Sequence, residues 1–468
     1  MSDVAARPAG TDVFAAARAE AARRDAADPL ARFRDAFVLQ AGTINLDGNS
    51  LGSMPRAVAA RMERVLGSEW SQGLIRSWGG AGWFNLPEIV GDRIAPLIGA
   101  GAGEVVVGDS TSVNLFKCIA AALALRPERR VLLLQEDNFP TDNYIAQGIA
   151  DMVPGVSLRA VKSTGSFADA IDESVAAIVL SHVHYRTALV EDMAAINRAA
   201  RPAGALTVWD LSHTTGAVPV DVNGAGCDFA IGCTYKYLNG GPGAPAYCWV
   251  SPELIERTRQ PLSGWMGHKT PFEFSFDYQP AAAIRRFVCG TPQILSLAAL
   301  DAALELWAEV DLPQLHHKSR DATEFFIDVV ERACASFGVT VQSPRDASRR
   351  GSHVAFGYRN GLQVMRALAA QGIIGDFRMP DTMRFGVAPL YIGYADIVRA
   401  VEALHGILQT GSWDRAEFRG TTVVTRCGAF CHEIVDSVVT TMLSSRASRG
   451  TFLRPQRSLA ALGMTDIL

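Results

Sequence analysis

Two segments of the chain place an acid and an amine where neighbouring β-strands should end: Val208-Trp209-Asp210-Leu211-Ser212-His213 and Thr234-Tyr235-Lys236-Tyr237-Leu238-Asn239-Gly240-Gly241. A lysine amine condenses with an aldehyde, and a carboxylate keeps a pyridine nitrogen protonated so that the ring accepts carbanion charge. Together they are what a pyridoxal phosphate (PLP) site needs. Spacing alone suits a surface lysine ahead of a glycine-rich loop just as well, so the neighbouring segments must decide. Asp109-Ser110-Thr111-Ser112 offers hydroxyls and backbone amides at an expected helix N-terminus, which is a natural phosphate cradle. Phe139 is placed to lie on the face of a flat ring, and Tyr235 and Trp265 add donors.

The elements that must carry these residues read as alternating strands and helices. Short apolar runs at Glu104 to Val107, Val131 to Leu134, Ala176 to Leu180, Leu206 to Trp209, Phe229 to Ile231 and Ala246 to Val250 are separated by helical stretches. That alternation predicts an α/β fold with a mostly parallel sheet between helices, and such sheets bind ligands beyond the carboxyl ends of their strands. Asp109 to Ser112, Glu136 to Asp142, Ser181 to Thr187, Asp210 to His213 and Thr234 to Lys236 all fall there. Helical periodicity predicts further helices over 12–40, 56–72, 87–98, 294–336 and 395–408. Shorter strands are expected near Val339 to Val341, His353 to Gly357 and Met383 to Gly386, in a smaller α+β domain. The expected organisation is an N-terminal segment (1–60) contributing to the small domain, a large cofactor-binding domain (61–300), a C-terminal small domain (301–420) and a mostly disordered extension (421–468).

Composition narrows the function classes. The chain has 468 residues, 49% of them hydrophobic and 20% charged, a balance too apolar for a disordered protein. A net charge of −4 provides no basic field for a nucleic acid. The apolar run Cys118 to Leu125 is too short to span a bilayer, and an N-terminus carrying Asp3, Asp12 and Glu20 is not a targeting peptide, so a cytoplasmic protein is expected. Eight cysteines without dense spacing read as reduced thiols. Cys427, Cys431 and His432 cluster, but no second pair with metal spacing lies nearby, so no metal centre is expected.

From roughly residue 30 to 418 the chain resembles the kynureninase family, PLP-dependent hydrolases of the fold type I aminotransferase superfamily. The resemblance rests on Asp47-Gly48-Asn49-Ser50-Leu51-Gly52, Trp78 to Phe84, Phe139-Pro140-Thr141-Asp142, the Asp210 and Lys236 segments, and Met383-Arg384-Phe385-Gly386 with Pro389-Leu390-Tyr391. It implies hydrolytic Cβ–Cγ cleavage of L-kynurenine, with its 3-hydroxy form as a further candidate, to the anthranilate and L-alanine, in tryptophan catabolism. By position it implies that Lys236 holds PLP, Asp210 pairs with the pyridinium and Phe139 stacks on the ring. Pro140, Thr141 and Asp142 share that loop, and Asp142 is expected near the ring edge. Thr111, Ser112, Ser181, His213, Tyr235, Trp265 and Thr291 complete the cofactor shell, with Tyr235 a proton relay. Arg384 matches the grip on the substrate carboxylate, for which a planar guanidinium is suited, and Ser50, Trp78 and Phe84 line the aryl end. The resemblance further implies a homodimer in which Trp265 and Thr291 come from the partner. Thr291 with Trp78 leans toward kynurenine over its 3-hydroxy form.

The nearest rival is a cysteine desulfurase or another PLP lyase on the same fold, which needs a cysteine nucleophile; Cys233 and Cys289 lie in site-forming segments. A PLP-binding scaffold without turnover is a rival of another class, and retention of Lys236 and Arg384 argues against it. The chain departs from the family in its long tail and in Ala188, where family members often carry Gly.

Overall fold

The computed structural model describes residues 10–419. The expected runs form a seven-stranded sheet from β2 (Val105–Val107), β3 (Val131–Gln135), β4 (Ser157–Val161), β5 (Val175–Ser181), β6 (Leu206–Asp210), β7 (Phe229–Gly232) and β8 (Tyr247–Val250), with β1 (Ile44–Asn45) lying apart. Its spatial order is β2-β8-β7-β6-β5-β3-β4. Pairing is parallel from β4 to β7 and antiparallel on both sides of β8. All residues of β5 and β6 are buried, because helices cover both faces. Val208 packs into the core on one side of the sheet and Trp209 into the core on the other.

A second, antiparallel sheet has the order β12-β13-β10-β9, from β9 (Thr340–Val341), β10 (His353–Gly357), β12 (Asp376–Arg378) and β13 (Thr382–Gly386). The long helix Leu312–Cys334 packs Phe326 against Phe356 and Phe385 of this sheet, with ring centroids 5.7 and 5.4 Å apart. The N-terminal part of the chain is stitched to this region: β1 pairs in parallel with β11 (Ile373–Ile374), and Asp47 bridges Gly386. The helix Gly10–Ala27 adds Asp25, whose carboxylate accepts from the Tyr394 amide at 2.7 Å.

Two expectations are corrected, and one strand was not expected. The helix predicted over 12–40 ends at Ala27, where Asp28 Oδ1 accepts from the Leu30 amide ahead of a short 3₁₀ segment, Ala31–Ala36, and Pro29 has no amide to continue the ladder. The helix over 56–72 is α-helical only to Arg64 and widens to a π-helix over Val65–Gly73. Strand β4 escaped the sequence reading because it is a largely exposed edge strand, Ser-Leu-Arg-Ala-Val, without a buried apolar run. The Cys427, Cys431 and His432 cluster and the tail lie outside the described residues.

Candidate active site

A cavity of about 520 Å³ opens beyond the carboxyl ends of β5, β6 and β7. One wall is the N-terminus of the helix Thr111–Leu125. Ser110 caps it by accepting from the Val113 amide at 3.3 Å, leaving Thr111 and Ser112 with their hydroxyls on the cavity. The preceding Asp109 takes a left-handed conformation (φ 55°), held by the buried Lys117, whose ammonium donates to Asp109 Oδ2 at 2.6 Å and to the Phe287 carbonyl at 2.7 Å. Free helix-terminal amides with two hydroxyls and no acidic residue in the first turn favour a phosphate.

Across the cavity the parallel register sets Ser181 beside Asp210. The Ser212 amide donates to Asp210 Oδ1 at 2.7 Å. Asn138 ties the neighbouring loop together: its Nδ2 donates to Asp142 Oδ2 at 2.9 Å and its Oδ1 accepts from Ser181 Oγ at 2.6 Å. Burial, and then the Asp210 charge, push the Asp142 carboxyl well above its ordinary range. Burial raises Asp210 as well, opposed by Lys236. Two carboxyls in one buried space resist shared ionisation, which leaves room for one added cationic donor such as a pyridinium. Lys236 Nζ stands 2.9 Å from His213 Nε2. Burial and the Lys236 charge hold His213 well below its ordinary pKa, as a neutral imidazole. The Tyr235 hydroxyl is pushed up by Cys233 and by burial, so it is a phenol that donates. Phe139 lines the cavity, with its ring edge-on to Tyr185 at 5.5 Å, and Pro140 starts the next helix at the position where its missing amide costs nothing. A phosphate cradle, a flat aromatic wall, an acid and a lysine thus surround one volume, a set of donors that fits PLP.

Arg384 enters from the second sheet. Strand alternation explains its direction: Met383 and Phe385 face the core, while Arg384 turns to the opposite face with His353 and Gly386. Its guanidinium is 1% exposed and grips Asp376, its register partner on β12, through Nε at 2.8 Å and through Nη2. Nη2 also reaches Ser50 Oγ at 3.0 Å, and Nη1 donates to the Tyr185 carbonyl at the cavity wall.

Of the sequence-derived candidates, Thr111, Ser112, Phe139, Thr141, Asp142, Ser181, Asp210, His213, Tyr235 and Lys236 line the cavity together, and Ser50 and Arg384 join it through Tyr185. Five stand elsewhere: Pro140 opens the helix after Phe139 without lining the cavity. Trp78 packs edge-on against Trp83, Phe84 lies 5.6 Å from Phe272, and Trp265 is half-exposed against the same Phe272. Thr291 lines a small crevice behind the cradle with Asp109 and Lys117. Asp376, Asn138, Lys117 and Tyr185 were not singled out from the sequence. Asn138 and Tyr185 fall in the strand-end segments marked there, whereas Asp376 owes its place to the register opposite Arg384.

Comparison with known proteins completes the picture. Residues 315–404 match the family model described as the kynureninase C-terminal domain. A kynureninase from Pseudomonas fluorescens is 48% identical over 406 residues, covering 86% of this chain and 98% of that protein. Another, from Burkholderia pseudomallei strain K96243, is 48% identical over 413 residues, covering 87% and 99%. Among solved structures, a cysteine desulfurase from Thermococcus onnurineus NA1 superposes with a TM-score of 0.69 at 16% identity, over 81% of this chain and 98% of that one. The cysteine desulfurase CsdA from Escherichia coli gives 0.66 at 21%, over 81% and 98%. These structural likenesses establish the fold, fold type I of the PLP-dependent enzymes, and the sequence relatives establish more: the chain belongs to the kynureninase family.

Proposed function

We propose that the chain hydrolyses the Cβ–Cγ bond of L-kynurenine to anthranilate and L-alanine at the cavity beyond β5, β6 and β7. The observation that carries this reading is Lys236 beside His213, with Asp210 across the same cavity, in a chain of this family. Thr111, Ser112 and the helix amides would hold the phosphate of PLP, Asp210 its ring nitrogen, Phe139 its face and Lys236 its aldehyde carbon. When bound, PLP supplies an electron sink for charge developing on the substrate's α- and β-carbons.

The residues then divide the work. Asp210, kept ionised by the cationic ring nitrogen, holds that nitrogen protonated. The Lys236 amine, within reach of the neutral His213, takes the α-proton once it is free. Water supplies the oxygen that Cγ carries away in anthranilate, the bonding pair stays on Cβ, and the Tyr235 phenol would give Cβ its proton. Arg384 receives the α-carboxylate: Asp376 fixes its plane, while Ser50 and the Tyr185 carbonyl are the partners that a substrate carboxylate would share or replace.

The reading includes a homodimer in the cytoplasm. Phe84, Trp265 and Phe272 form one aromatic patch away from the chain's own cavity, and Phe276 close by in sequence is fully exposed, an arrangement that suits delivery of Trp265 and Thr291 to a partner's site. Among the described residues no helix is long and apolar enough to cross a membrane. The desulfurase alternative is not favoured: Cys233 is buried with its thiol toward the Ser212 carbonyl, Cys289 faces the Lys117 crevice, and burial raises the pKa of both thiols.

Replacing Lys236 with Ala tests the assignment. The expected result is loss of the visible absorption of the lysine-bound cofactor together with loss of anthranilate release; a fully active variant would end it.

A further inference from the structure

Around Gly386 the fold buries polar atoms that find no partner among the described residues. Gly386 pairs with His353 across the β10–β13 ladder and bridges Asp47 on its other side. A Cβ at position 386 would meet Asn49 Oδ1 at 1.9 Å, so the Asn49 amide fills the space of the missing side chain. Residues directly opposite in an antiparallel ladder present their Cβ atoms on one face, about 5 Å apart, which sets the Asn49 amide beside the His353 ring. The His353 and His213 rings are 5.4 Å apart, and His213 in turn faces Lys236 Nζ. Both nitrogens of His353, Nδ1 of His213, both amide atoms of Asn49 and Oδ1 of Asp47 are buried without a hydrogen-bond partner among the described residues. A buried polar atom left unpaired is costly, so a cluster of them calls for internal water making two to four bonds to such groups.

We propose that His353 and Asn49, bridged by internal water, form a directed hydrogen-bond chain from His213 to Asp47 that fixes the tautomer His213 presents to Lys236. The direction follows from the far end. An ionised carboxylate only accepts, so every donor in the chain points toward Asp47; His213 then carries its proton on Nδ1 and turns a bare Nε2 to the Lys236 amine. Neutral imidazoles, each with one donor and one acceptor, are what such a chain requires. Burial, and then the facing charges of Arg384, His184, Lys236 and Arg378, keep His353 neutral; His213 is neutral for the same kind of reason. Asp47 is pushed up to about 6 by burial and by Asp376, against Ser50, Arg384 and Arg378, so the chain holds its direction above that pH and loses it below. His353, Asn49 and Asp47 are positioning residues, acting through His213.

This inference rests on Lys236 being the cofactor lysine. The test is a pH titration of the visible absorption of the PLP-loaded, full-length protein, with kcat and KM for L-kynurenine measured at each pH. A parent protein lacking the visible band would strike the functional reading itself. Given a parent with band and turnover, His353→Leu is expected to move the spectral midpoint by about half a pH unit or more and to lower kcat about tenfold with little change in KM. His353→Gln, which restores a donor and an acceptor, should recover most of both. Asp47→Asn, at the far end, should abolish the kcat transition near pH 6 while the band amplitude persists. Should His353→Leu fail to fold, His353→Gln and Asp47→Asn decide alone. Parental midpoints and kcat profiles in the folded variants overturn the proposal, and so do equal shifts in Leu and Gln, which would mean packing.

Discussion

Arg384 is the residue whose chemistry depends most on a neighbour the sequence did not advertise. Its guanidinium is buried and already clamped by Asp376, so its plane is set before substrate arrives. A lysine has one point charge and cannot fill both the Asp376 clamp and a substrate carboxylate. Arg384→Lys should therefore lower kcat/KM by about 2–4 kcal/mol, roughly 30- to 1,000-fold, while the cofactor spectrum is retained. A specificity constant within twofold of the parent would remove Arg384 from the site. Gly52 is constrained just as locally: a Cβ there would meet the Lys236 carbonyl at 2.2 Å, and its amide donates to the Tyr235 carbonyl at 2.9 Å. Gly52→Ala should displace the lysine segment and weaken cofactor retention on dialysis, with the far-UV spectrum unchanged; undiminished retention would show that the contact has no bearing on the site. The acid and the amine were legible because they follow recognisable strand ends, and Arg384 because its Met-Arg-Phe-Gly segment matches the family. Asp376 and His353 were not, since each owes its place to a register between strands rather than to its neighbours in sequence.

The helix beginning at Thr111 and the turn at Ala188 show how elements serve the site. Ser110 caps the helix and so keeps the Thr111 and Ser112 amides turned to the cavity. Ser110→Ala should cost about 1 kcal/mol of stability and loosen phosphate-dependent cofactor binding, read as a lower melting temperature and a higher Kd for PLP. If both are unchanged, the cap does not organise the cradle. Ala188 is buried at φ 64°, where glycine is at ease, and its carbonyl accepts from the Gly351 amide at 2.8 Å, joining the loop after β5 to the segment leading into β10. The departure from the family's common glycine was visible in the sequence; the positive φ that gives it meaning was not. The parallel strands could be read directly because burial on both faces makes them continuous apolar runs, whereas β4, exposed along the edge, and the two- and three-residue strands β1, β11 and β12 carry too few residues for a periodicity.

At the scale of the whole molecule, pH acts on the fold as well as on the chemistry. Glu191 is buried near Gln135, whose amide lies 3.4 Å from it, and burial pushes its carboxyl up to about 7. A carboxyl whose folded pKa lies above its unfolded value binds a proton more tightly in the native state, so its contribution to stability is lost as pH rises from about 4.5 to 7. Glu191→Gln should leave stability at pH 4 nearly unchanged and raise it at pH 8 by about 3 kcal/mol, measured by urea unfolding at both values. A parental difference between pH 4 and pH 8 in the variant would refute the assignment. The aromatic patch of Phe84, Trp265 and Phe272 also belongs to this scale, because none of the three lines the chain's own cavity.

The central claim is that this cavity binds PLP through Lys236 and uses it on kynurenine. The most direct measurement is an absorption spectrum of the purified, PLP-supplemented protein, followed by addition of L-kynurenine while anthranilate fluorescence is recorded. The expected result is a visible band that is absent in Lys236→Ala and prompt release of anthranilate. A visible band without anthranilate, and with alanine formed instead from L-cysteine, would contradict the account and move the chemistry to the desulfurase reading.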